Sequence, residues 1–324
     1  MSSPVQVSRS EVVIDARGVH YRQLNERIAD LVRRHQAEAM STDARRLPSP
    51  FPSPNGRGWG EGADAELHVK LTGVCGQRYI ACGLRSTVHI DIEGVPGNDL
   101  AAFAEGPTVT VFGNCQDATA NTMSSGLIVV HGSAGDVLGY AMRGGQVFVR
   151  DNVGYRVGIH MKSYQDMVPV IVVGGRSGDF LGEYMAGGVI LVLGRSVPAS
   201  GWSRRAGEQD TVGCRDRALA LSDPDSPKGL SLRVAAQDGR SLVGEQVGTG
   251  MHGGTIYVRG PVDKAQLGQE VERRAMEASD EALVSALMER YQDYFHTDDI
   301  APDWEKFTKL VPASHRPYGR LYAY

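Results

Sequence analysis

The sequence predicts an all-β fold: a right-handed, single-stranded parallel β-helix of about eight coils, with an α-helix at each flank. Three observations predict it. Short β-branched triplets recur about every 19 residues, glycine usually stands two residues after each triplet, and methionine keeps the same register.

The triplets are Val69/Leu71/Gly73, Ile90/Ile92/Gly94, Val109/Val111/Gly113, Ile128/Val130/Gly132, Val147/Val149/Asp151, Ile171/Val173/Gly175, Ile190/Val192/Gly194 and Ile256/Val258/Gly260. The steps between them are 21, 19, 19, 19, 24, 19 and 66 residues. The two apolar residues of a triplet lie two apart and so share one face of a strand. A repeat of this length is too short for a strand plus a crossover helix, which needs roughly 30 residues. No helical period fills the gaps, and the leucine–asparagine signature of a leucine-rich repeat is absent. Stacked coils of short strands remain, with Ile and Val in continuous interior columns.

The glycines mark tight corners or positive φ. Asp151 replaces one of them, a mild departure because Asp tolerates the left-handed region. Met123, Met142, Met185 and Met251 each precede a triplet by five residues, and Met161 by ten because SYQDMVP is inserted. Their flexible thioethers suit the irregular space inside a corner. G-x-x-x-G-x-x-M precedes three triplets, as Gly135/Gly139/Met142, Gly154/Gly158/Met161 and Gly178/Gly182/Met185.

The flanks follow. Residues 1–43 hold an N-terminal strand and an amphipathic helix over 20–37, with Leu24, Ile28, Leu31 and Val32 on one face to cap the first coil. Residues 44–64 are rich in Pro, Gly and Ser and read as a flexible insertion. The β-helix proper spans 65–262, with a long insertion at 195–246 that carries Trp202, Arg204, Arg205 and Cys214. Residues 263–324 form a C-terminal helix and tail. The helix is expected over 279–295, with Ser279 as N-cap and Leu283, Leu287 and Tyr291 marking one face. The tail covers the second end of the rod or docks into another subunit.

Composition excludes several classes. The 324 residues are 41% hydrophobic and 22% charged with a formal net charge of −4, which does not suit a nucleic-acid binder. Forty glycines, about 12% of the chain, exceed the usual ~7%, and the corners account for the surplus. There is no secretory leader pattern and no apolar run long enough to span a bilayer, so a cytoplasmic protein is expected. Cys75, Cys82, Cys115 and Cys214 form no CxxC pair and read as free buried thiols.

Candidate chemistry is discounted for stated reasons. Gly248-Thr-Gly250-Met-His-Gly253 satisfies G-x-G-x-x-G, but a strand follows it where a dinucleotide fingerprint needs a helix. His89, His131, His160 and His252 fall at different offsets in their coils and need not converge on a metal. Asp91 and Glu93 share a strand face, as acids do in pectin-cleaving β-helices, but acids do not stack from coil to coil. Asp117, Asp136 and Asp179 recur near corners, where capping backbone amides is their simplest job. No P-loop or nucleophile elbow is present. The chain does not start on cysteine, so an N-terminal-nucleophile amidotransferase is not expected in it. No catalytic, cofactor-binding or metal residue is assigned.

The run from Gly97 to Lys162, GNDLAAFAEGPTVTVFGNCQDATANTMSSGLIVVHGSAGDVLGYAMRGGQVFVRDNVGYRVGIHMK, resembles the GXGXG domain that ends the large subunit of glutamate synthase. So do VIVVGGRSGDFLGEYMAGGVILVLG and VGTGMHGGTIYVRG. The start, VVIDARGVHYRQLNERI, and the close, KFTKLVPASHRPYGRLYAY, are similar to the version found as a separate polypeptide in archaeal-type glutamate synthases. The two insertions depart from that pattern. The resemblance implies a non-catalytic scaffold. It would hold a glutamine amidotransferase subunit against an FMN-binding synthase subunit, so that ammonia from glutamine reaches 2-oxoglutarate through a channel. Reducing power would come from NADPH or ferredoxin through an iron–sulfur reductase subunit. FMN and the clusters would sit in those partners and no cofactor in this chain. One subunit of formylmethanofuran dehydrogenase and one of N-methylglutamate synthase share the β-helix and stay open as alternatives. An independent carbohydrate-active β-helix is a third.

Overall fold

The computed structural model describes residues 10–43, 67–195, 241–297 and 303–314. The expected insertion at 44–64, most of that at 195–246 and the end of the tail lie outside the described residues.

The elements run β1 (Ser10–Asp15), α1 (Tyr21–Asp43), β2 (Leu67–Cys75), β3 (His89–Val95), β4 (Glu105–Phe112), β5 (Ser125–Val130) and β6 (Gln146–Val149). Then come β7 (Val170–Val173), β8 (Ala186–Val192), β9 (Gly253–Val258), β10 (Val271–Arg274), α2 (Ala278–Phe295) and β11 (Thr308–Pro312). The strands pair in the order β1-β2-β3-β4-β5-β6-β7-β8-β9-β11-β10, parallel from β1 to β9. This is an all-β parallel solenoid.

The register is the one the triplets require. Val69, Ile90, Val109, Ile128, Val147, Ile171, Ile190 and Ile256 are partners in succession, and so are Leu71, Ile92, Val111, Val130, Val149, Val173, Val192 and Val258. All are buried in one core cluster, together with the corner methionines. The count of eight coils is not confirmed, since the solenoid makes about six turns. Eight triplet-bearing strands bound fewer closed turns than strands, and the interval from β8 to β9 leaves the described residues.

The corners use a device beyond glycine. Alternate residues take positive φ: Ala118, Ala120 and Thr122 at 58°, 63° and 54°, then Val137, Gly139 and Ala141 at 51°, 68° and 49°. This alternation points successive amides to opposite neighbours. The Ala118 N–H donates to Asp136 O in the next coil, Ala120 to Leu100 O in the previous one, and Thr122 to Tyr140 O in the next. Hydrogen bonds to both neighbours hold non-glycine residues in a backbone region that costs about 1 kcal/mol or more each. Small residues fill the middle of each corner because that position faces the core. A Cβ on Gly139 would lie 2.5 Å from Ile171 Cδ1, and one on Gly182 2.6 Å from Ile256 Cδ1.

Both ends of the stack are closed. Leu24, Ile28 and Val32 of α1 join the core cluster at the first coils. At the other end, β11 pairs antiparallel with β9, and β10 with β11. Of the two expected positions for the tail, residues 308–312 take the first. The reversal ends the parallel ladder and leaves the short, charged strand β10 (VERR) at the edge, which disfavours pairing with another coil.

Two details of α2 correct the expectation. Its N-cap is Glu277, not Ser279, and Asp280 one turn in accepts the Glu277 amide at 2.8 Å. Its buried stripe is Val284, Leu287, Met288, Tyr291 and Phe295, while Leu283 is 38% exposed. The helix is rotated so that Leu283 flanks the contact.

A candidate functional surface on the outer strand face

Residues between the inward ones face outward. The outer row Lys70, Asp91, Thr110, Val129, Phe148, Val172, Leu191 and Tyr257 runs in register along the rod. It changes character midway, from charged or hydroxylated to apolar. The apolar part forms a second core with the buried stripe of α2. The helix crosses the strands from β9 towards β5. Phe295 meets His131 edge-on at 5.2 Å, and the Tyr291 hydroxyl donates to Arg150 O at 2.8 Å. Gly174 is required beneath it, because a Cβ there would collide with the Tyr291 hydroxyl.

A buried polar cluster fixes the start of α2. Asp280 accepts from the Tyr257 hydroxyl at 2.5 Å and from Lys309 Nζ at 2.6 Å. Burial alone would raise the Asp280 pKa, but Lys309, Tyr257 and the Glu277 amide together hold it below the usual value. Burial, and then its bond to Asp280, push the Tyr257 hydroxyl pKa up.

On the half that α2 does not reach, His68 bonds Asp91 at 3.0 Å and Lys70 pairs with Glu93. Asp91 and Glu93 do share the outer face, and each is engaged by a base. His89 sits edge-on to His68 at 6.4 Å. His131 lies between Phe112 and Phe295. Burial, with Arg150 and His296 nearby, pushes its pKa down to about 4. His160 stacks on Tyr184 at a corner, and His252 lies 3.3 Å from Gly250 O. The four histidines are thus spread along the rod, and among the described residues no three potential metal ligands group together.

Gly248 and Gly250 belong to a corner, at φ +68° and +70°, and β9 follows. Asp117, Asp136 and Asp179 cap amides of the next coil: Asp136 N–H donates to Asp117 Oδ1 at 2.9 Å, Tyr155 N–H to Asp136 at 2.8 Å, and Glu245 N–H to Asp179 at 2.8 Å. Asn114 and Asn152 do the same for Ser133 and Arg176. Below each cap stands a glycine, such as Gly135 under Asp117 and Gly154 under Asp136, because a Cβ would strike the capping oxygen.

The cysteines correct another expectation. Cys75, at the exposed end of β2, is disulfide-bonded. Cys82 is free and exposed, and Cys115 is free and buried, its thiol pushed up to about 12 by desolvation. Spacing alone does not reveal which thiols approach within bonding reach. Among the described residues no helix is long and apolar enough to cross a membrane.

A family model described as the GXGXG motif matches residues 63–214. An uncharacterized protein of Methanocaldococcus jannaschii is 37% identical over 316 residues, covering 96% of this chain and 96% of its own length.

Proposed function

The chain belongs to the GXGXG-motif family, and from that premise we propose that it is the non-catalytic scaffold subunit of a glutamate-synthase-type complex in the cytoplasm. It positions a glutamine amidotransferase subunit against an FMN-binding synthase subunit, with an iron–sulfur reductase supplying electrons. FMN and the clusters reside in those partners. The winding of the solenoid is right-handed in this reading, as parallel crossovers between L-residue strands favour.

One observation carries the proposal: a continuous parallel ladder from β1 to β9, in which the triplet positions stay in register from β2 to β9, closed at both ends by the chain's own elements. Every coil donates backbone hydrogen bonds to its neighbours. Such a rod bends little, and delivery of ammonia between two sites requires fixed geometry. Closed ends disfavour growth by end-to-end pairing and leave the sides to meet partners.

The test is co-purification. A tagged full-length chain, recovered from its own cells, is expected to bring down an amidotransferase and a flavoprotein. The chain alone is expected to show neither glutaminase activity nor flavin absorbance. Recovery of formylmethanofuran- or methylamino-handling subunits instead would transfer the scaffold role to that complex. Turnover of a polysaccharide by the isolated chain would refute the scaffold reading.

A further inference from the structure

An arginine cluster stands at one corner of the rod. Arg150 follows β6, Arg176 follows β7, Arg195 follows β8 and Arg259 follows β9. Arg150 and Arg259 directly follow their strands and continue the outer row of Phe148 and Tyr257, and Arg176 and Arg195 each stand three residues past the end of theirs, at the same corner. Backbone bonds hold the segments that carry them side by side. Arg195 N–H donates to Gly174 O at 2.7 Å, Gly194 N–H to Gly175 O at 3.1 Å, and Arg259 N–H to Val192 O at 2.8 Å. Successive coils are about 4.8 Å apart, less than the reach of an arginine side chain. Arg195 also lies over the Tyr291 ring, at 5.9 Å from its centre, so it folds back onto the face that α2 covers.

Charge at this corner is unbalanced. Asp151 bonds Arg150 at 2.8 and 3.0 Å, and it is the carboxylate that the described residues supply to the four. Among the described residues, Arg176 Nη1, Arg195 Nη1 and Arg259 Nε are shut off from solvent and have no hydrogen-bond partner. Three cationic donors that have lost water and gained no acceptor are unfavourable, and an anion would remedy all three. Each of the three residues is partly exposed, which leaves a way in. Guanidinium forks match the paired oxygens of carboxylate and phosphate groups.

We propose that this corner binds a freely diffusing oxyanion held by Arg176, Arg195 and Arg259. The inference does not depend on which complex the chain serves. It is tested by calorimetric titration and thermal melting of the full-length chain with sodium phosphate and, separately, sodium succinate, each against sodium chloride at matched ionic strength. Saturable binding and a raised Tm are expected. A response to phosphate alone assigns a phosphate group, to succinate alone a carboxylate, and to both an unselective oxyanion site.

Arg176→Gln, Arg195→Gln and Arg259→Gln should each weaken binding by about tenfold or more. Arg143→Gln, at an exposed arginine elsewhere, should leave it unchanged. Arg195→Lys keeps the charge but loses the fork, so its affinity should fall between wild type and Arg195→Gln. This variant carries the test if the glutamine variant loses its circular dichroism signal. No response beyond chloride, or equal binding in wild type and all Arg176, Arg195 and Arg259 variants, overturns the proposal.

Discussion

The outer face has two halves built on the same interior. Along β2 to β4 it carries His68, Lys70, His89, Asp91, Glu93, Thr108 and Thr110, all partly exposed, with His68 bonded to Asp91 and Lys70 to Glu93. Along β5 to β9 it carries Val129, Phe148, Val172, Leu191 and Tyr257, roofed by α2. The inward columns do not differ between the halves. The difference teaches that the repeat specifies the rod, while the outward residues record what covers each stretch of it.

The shared interior is where substitution should do most damage. Gly139→Val places a β-branched side chain at φ +68° against Ile171. Left-handed strain and overpacking together should cost about 3 kcal/mol or more, read as loss of soluble protein or a large fall in Tm. An unchanged Tm would show that Gly139 does not face the core.

Next come equivalent positions in the two halves. Phe148→Ala, fully buried under α2, should cost about 3–5 kcal/mol. Thr110→Ala, in the same outer row, should stay within about 0.5 kcal/mol. Comparable losses in urea titrations of the two would erase the distinction between the halves.

Ion pairs sharpen it further. Asp280→Ala leaves Lys309 buried without its partner and should cost about 3 kcal/mol. Lys70→Ala breaks a half-exposed pair and should cost about 1 kcal/mol or less. Because the folded Asp280 pKa lies below its unfolded value, its contribution is present above about pH 4 and lost as pH falls lower. Asp280→Asn should therefore flatten the acid limb of the stability curve, and Lys70→Ala should not.

A last comparison concerns His131. Its folded pKa of about 4 lies below the ordinary 6.5, so the unfolded chain takes up the proton first. Stability from the neutral ring is complete above about pH 6.5 and is lost as pH falls towards 4. Tm should decline across that window, and less steeply in His131→Gln. A parallel decline in wild type and variant would remove His131 as the cause.

Much of this is legible in the sequence. The columns, the corner methionines, the Asp caps and α1 follow from spacing, because each coil repeats one environment. The roof over the second half does not follow from the triplets, although a signal for it exists. VIVV in β7 and VILV in β8 are apolar at every position, the mark of strands buried on both faces, whereas HIDIE in β3 alternates. Alternating positive φ at Ala118, Ala120 and Thr122 is invisible in the sequence because no glycine marks it. The Arg176–Arg195–Arg259 grouping is hidden as well. It joins residues up to 83 positions apart through a corner geometry that spacing does not give.

The account depends most on equivalent residues of successive coils standing beside each other. Paired cysteine substitutions on the outer face measure this directly. Asp91→Cys with Thr110→Cys joins true partners in β3 and β4, at about the 4.8 Å spacing that a disulfide spans. Asp91→Cys with Val109→Cys tests a one-residue slip, in which the second thiol points inward. The account predicts an efficient 91–110 cross-link by peptide mapping under mild oxidation, and little or none at 91–109. Equal yields, or a preference for the slipped pair, would contradict it.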